Sequence, residues 1–103
     1  MDVLYLTPDQ YTRHARVLAE EYIPTVPALC IEVISPSQSA DEVDERVQDY
    51  LAGAQMVWRL FPRRRTVTLS TPDRAPQTVR AGETLRGDPV LPGLALPLAL
   101  LFA

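Results

Sequence analysis

Three side chains in this sequence have the types and the spacing to do chemistry together: Asp2 beside the first β-prone run, Glu32 inside the most apolar run, and Arg46 on the helix-patterned segment that follows. Carboxylates on neighbouring strands can share a divalent metal ion, which polarises a phosphodiester and lowers the pKa of an attacking water. A cation beside them offsets the charge that builds up on the phosphate oxygens. Lysine usually fills that role, and arginine can fill it with a different geometry. Spacing alone leaves three arrangements open for Glu32: a metal ligand, an ion pair with Arg46, or a carboxylate satisfied by backbone or water.

The elements that must position these residues follow from periodicity. Val3–Leu6 reads as a short strand, and Thr7-Pro8 opens a helix whose apolar residues Ala15, Leu18, Ala19 and Tyr22 recur at helical spacing until Pro24. Leu29–Ile34 is an almost unbroken apolar run bounded by Pro27 and Ser35-Pro36-Ser37, the pattern of a strand covered on both faces. Ser39 and Glu42 have capping-box spacing, and Val43, Val47, Tyr50 and Leu51 then mark one face of a helix that Gly53 ends. At 100° per residue Arg46 lies beside that stripe, placed to reach the strand carrying Glu32. Asp41, Glu42, Asp44, Glu45 and Asp49 form its solvated acidic side.

Met56–Phe61 and Thr66–Ser70 read as a hairpin around Pro62-Arg63-Arg64-Arg65, Pro72–Ala75 as a second turn, and Gln77–Arg80 as a further strand. Val90–Phe102 is an apolar tail expected to pack on the core. Strand, helix, strand, helix and then a meander make an α/β fold: a mixed sheet flanked by helices, with a C-terminal hairpin and meander.

Composition narrows the classes. A chain of 103 residues, 47 % hydrophobic, has room for one core and is read as a single domain over 1–103. No apolar run is long enough to span a membrane, and no secretory leader opens the chain, so a soluble, cytoplasmic protein is expected. The single cysteine, Cys30, excludes an internal disulfide and reads as a buried small hydrophobe. All ten basic residues are Arg, which excludes any mechanism that needs a lysine amine, and a net charge of −3 confines nucleic-acid contact to a local patch. Arg63-Arg64-Arg65 is the obvious patch, weighed against a plain solvated turn. His14 has no partner placed to make it catalytic, and no base stands near Ser35 or Ser37.

The segments MDVLYLTP, EYIPTVPALCIEVISPS, DERVQDYLAGAQMVWRLFP, RTVTLS and LPGLALPLALLF resemble, in order and spacing, the Uma-type restriction endonuclease family. That family carries PDVLFV, PDLVVEVLSPS, DxxxKxxxYxxxGVxEYWVVDP, a hairpin and a closing LPGLxLxLxxLF. The resemblance runs over essentially the whole chain. It implies a restriction-endonuclease-like (PD-(D/E)XK) fold, a magnesium site and action on DNA. Carried over by position, Asp2 and Glu32 match the two metal-binding acids, and Arg46 stands where the family has its lysine. Ala28 replaces the aspartate of PDLVVEV, Phe61 replaces that of VVDP, and Trp58 matches a core tryptophan. Ser35 and Ser37 match the SPS turn, which is expected to cap the helix and hold the strand end.

Family members also carry a helix, an acidic residue and a strand ahead of the first motif. The chain is therefore expected to be an N-terminally truncated member that self-associates, as a homodimer or larger, with weak or absent cleavage. The alternative is a non-catalytic self-associating or binding module that keeps the nuclease fold.

Overall fold

A computed structural model describes residues 27–102 and the backbone of residues 3–5. Asp2, the expected first helix and His14 lie outside the described residues.

Strand β1 (Val3–Tyr5) pairs antiparallel with β2 (Leu29–Val33), with Val3 opposite Ile31. The chain leaves β2, crosses the sheet through helix α1 (Ala40–Leu51) and returns as β3 (Met56–Phe61), parallel to β2. A parallel pair needs such a crossover. Strands β4 (Thr66–Thr71) and β5 (Arg74–Val79) then add as an antiparallel meander, so the sheet order is β1-β2-β3-β4-β5. A separate ribbon of β6 (Thr84–Arg86) and β7 (Ala95–Pro97) runs into a closing helical turn, α2 (Leu98–Leu101).

Alternation sorts β2 and β3 into two faces. Cys30 and Val57 face α1 and are buried with Val43, Val47 and Ala54. Leu29, Met56 and Trp58 face the other way and pack with Val67, Leu85, Val90 and Leu98. The near-continuous apolar reading of β2 is thus the mark of a strand with a layer on each side. Trp58 donates its indole N–H to Met56 Sδ at 2.8 Å inside that second layer, so its role is packing. The apolar tail does cover this face: Leu98 is 1 % exposed.

Helix α1 starts where Ser39 Oγ accepts from the Glu42 backbone N–H at 3.4 Å. Asp41 and Glu42 fall in its first turn, where the helix dipole favours negative charge. Ser35 and Ser37 do not cap it: their hydroxyls lie 3.1 Å apart within the loop, and the Ser35 backbone N–H donates to Gln38 Oε1 at 2.7 Å. Gly53 and Ala54 N–H both donate to the Tyr50 carbonyl and close the helix.

The second hairpin is tighter than the sequence suggests. Strand β5 begins at Arg74, so Pro72-Asp73 make the turn, and Pro76 sits inside the strand. Proline is tolerated there because β5 is an edge, where a missing N–H breaks no ladder bond and discourages further strands from adding. The register slips between Leu69 and Thr71, which leaves Ser70 at a bulge.

Candidate functional site

Glu32 is the one buried carboxylate among the described residues, 3 % exposed on the helix-covered face of β2. Helix α1 brings two donors to it from positions one turn apart. Arg46 Nε donates to Glu32 Oε1 at 3.1 Å, and the Tyr50 hydroxyl donates to the same oxygen at 2.9 Å. Residues four apart share a helix face, so one segment supplies a cation and a phenol to one carboxylate. Arg46 keeps 37 % of its side chain exposed while the Glu32 side chain is 4 % exposed, so the pair links the buried strand to the surface.

A second acid and base pair lies alongside. Arg59 on β3 is the register partner of Glu32, and its Nη2 donates to Asp44 Oδ1 on α1 at 3.1 Å. Arg59 Nε is buried and finds no acceptor. Two arginines therefore bridge helix and sheet, one rising from the helix and one from the strand.

Burial sets the titration of the two weak acids near Glu32. It pushes the Tyr50 hydroxyl up to about 12, helped by the hydrogen bond it donates to Glu32. It pushes the Cys30 thiol, fully buried two residues before Glu32 on the same face, up to about 11. Both groups keep their protons at neutral pH, so Tyr50 stays a donor.

Both are acids whose folded pKa lies above the unfolded value. Their contribution to stability is complete below about pH 9 for Cys30 and pH 10 for Tyr50, and is lost as pH rises through about 11 and 12. Urea midpoints are accordingly expected to fall across that alkaline window. Tyr50→Phe should flatten its upper part and Cys30→Ala its lower part; an unchanged slope in both variants would refute the assignment.

Of the three residues singled out in the sequence, the structure joins Glu32 and Arg46, and Asp2 lies outside the described residues. Among the described residues no group of three or more His, Cys, Asp or Glu side chains is placed to hold a metal ion. Two contributors were missed. Tyr50 read as part of the apolar stripe, although its place four residues after Arg46 marks the same face. Arg59 read as an ordinary strand residue, although a charge between Trp58 and Leu60 in a buried run is itself a signal.

A family model described as "Uma2: Putative restriction endonuclease" matches residues 2–99. Among solved structures, a crystal structure of "a putative nuclease belonging to DUF820" from Anabaena variabilis ATCC 29413 superimposes with a TM-score of 0.69 and 26 % sequence identity. The alignment covers 76 % of this chain and 45 % of that one, so this chain spans less than half the length of that protein. No curated protein matches significantly.

Proposed function

We propose, from the premise that this chain belongs to the Uma2 restriction-endonuclease family, that it is a slow, divalent-metal-dependent nuclease acting on DNA, with Glu32 at its centre. The supporting observation is the convergence of Arg46 and Tyr50 on one oxygen of a buried strand carboxylate, at the positions where the resemblance puts the family's acid and its cation. Among the described residues Glu32 fits a divalent cation as a hard oxygen donor, but it is one ligand where a cation needs several. Asp2 is the proposed second, and magnesium the proposed ion. Once bound, the ion would supply Lewis-acid polarisation of the phosphodiester and a more acidic water.

The chain's own residues supply orientation and charge. The Tyr50 hydroxyl holds the Glu32 carboxylate in one rotation, because its burial keeps it a donor. Arg46, whose side chain is 37 % exposed, brings a positive charge to the surface side of Glu32 and can offset charge on phosphate oxygens. A guanidinium stays protonated in a protein, so Arg46 moves no proton; turnover is slow for that reason.

The same double engagement of Glu32 Oε1 favours one competing reading, a fold in which Arg46 has replaced the metal and the site only holds the core together. Calorimetric titration of magnesium and manganese, beside cleavage of supercoiled DNA, separates the two. Binding and nicking that both disappear in Glu32→Gln and Asp2→Ala are expected. No heat and no nicking in the wild type would leave the non-catalytic binding module.

A further inference from the structure

Beyond Glu32, the parallel strands β2 and β3 end side by side, and the Ile34 N–H donates to the Leu60 carbonyl at 2.8 Å to hold them together. A groove of about 470 Å³ opens there, between the loop into α1 and the β3-β4 hairpin. The crevice past the carboxyl ends of parallel strands is the place where open α/β sheets bind ligands. Its apolar wall includes Ile34, Val43 and Phe61, and its cations are Arg59, Arg63 and Arg64. Among the described residues no carboxylate lines it, in a chain whose net charge is −3.

We propose that this groove seats an unpaired nucleotide of a single-stranded nucleic acid, with its base against Phe61 and its phosphates on Arg63 and Arg64. The relation to Glu32 rests on the nuclease reading; the binding itself does not. Three observations carry it. The Arg64 guanidinium carbon sits over the Phe61 ring, 5.1 Å from its centre, so an aromatic face and a cation already stand together on the wall. Such surfaces accept any base, since every base has a π-face, while arginines nearby track the backbone.

Arg59 lines the same groove, and its Nη2 is held by Asp44 Oδ1 at 3.1 Å. An acid beside the groove is thereby occupied. The volume, finally, suits one nucleotide and is too small for a duplex, which would meet only the exposed arginines at the hairpin tip.

Fluorescence anisotropy of a labelled oligothymidine and of a duplex of equal length, with the wild-type chain in EDTA, tests this without metal or cleavage. The single strand is expected to bind roughly tenfold or more tighter than the duplex. Replacing Arg63 and Arg64 together by Ala should weaken it roughly tenfold and lower the log–log salt slope by about 1.4, the value for two phosphate contacts on a single strand. Phe61→Leu, which keeps the wall apolar, should weaken it about fivefold with the salt slope unchanged.

Equal affinity for the duplex with a silent Phe61→Leu would overturn the proposal in favour of plain phosphate contact, and wild-type binding by the double arginine variant would overturn it outright. A chain that binds as stated but neither takes up metal nor nicks DNA would refute the nuclease reading and leave the groove intact. A chain that nicks DNA and ignores these substitutions would do the reverse.

Discussion

Arg46→Lys is expected to raise magnesium-supported DNA nicking by roughly tenfold or more over the wild type, because a positioned amine that can exchange a proton is worth two or more orders of magnitude where a fixed cation is worth less. The geometry favours the exchange. It is Arg46 Nε, not the tip of the guanidinium, that meets Glu32 Oε1 at 3.1 Å. In lysine the carbon Cε occupies that place along the chain and the ammonium lies one bond further, so it still reaches the carboxylate after a small rotamer change. The variant would carry the molecule's one lysine, since all ten basic side chains of the sequence are arginine. A lysine amine shifts its pKa readily in a partly buried site, whereas a guanidinium does not. The rate should therefore also gain a basic limb in its pH profile that the wild type lacks. Unchanged nicking, with metal binding retained by calorimetry, would mean that proton handling at position 46 is not what limits the reaction.

The pairing of Glu32 with Arg46 was legible because both halves of the argument are local. A carboxylate inside a run covered on both faces must be partnered, and helical periodicity put Arg46 beside the buried stripe. The order of strands, helix and meander was legible for the same reason, and the family pattern set it in the nuclease fold. Tyr50 was less visible: at its position in the stripe a tyrosine packs as well as a leucine, and only the distance between α1 and β2 shows where its hydroxyl ends. The Asp44–Arg59 pair was hidden altogether, since it depends on Glu32 and Arg59 being register partners across parallel strands. Parallel register follows from how a crossover helix packs, which no short window of sequence carries. Strand β5 was placed too late because Pro76 argues against a strand in general, and only at an edge does that argument fail. The groove past β2 and β3 was half visible, as a run of arginines in a turn. Its other half, Phe61 and Ile34 meeting beneath them, is a product of the fold.

Among the described residues, the face of the sheet opposite Glu32 carries the larger buried cluster, and Leu98→Ala is expected to cost about 3 kcal/mol there. Leu98 is 1 % exposed and packs in the cluster that holds Leu29, Trp58 and Leu85, while its backbone N–H donates to the Glu83 carbonyl at 3.0 Å. That hydrogen bond and the β6-β7 ribbon fix the backbone leading into the truncated side chain, so the site cannot collapse far and most of the lost volume remains as a cavity. Leu100, two residues on and 65 % exposed, is the control: its truncation should change stability by less than about 0.5 kcal/mol. Urea unfolding with an unchanged m-value is the measurement, and a cost below about 1 kcal/mol for Leu98→Ala would mean that the C-terminal ribbon does not pack as described. Leu29 and Glu32 lie on opposite faces of β2, so the lost packing reaches Glu32 only through unfolding of the whole sheet. Well below the midpoint, oligothymidine binding by Leu98→Ala should therefore match the wild type, which separates a loss of stability from a loss of site.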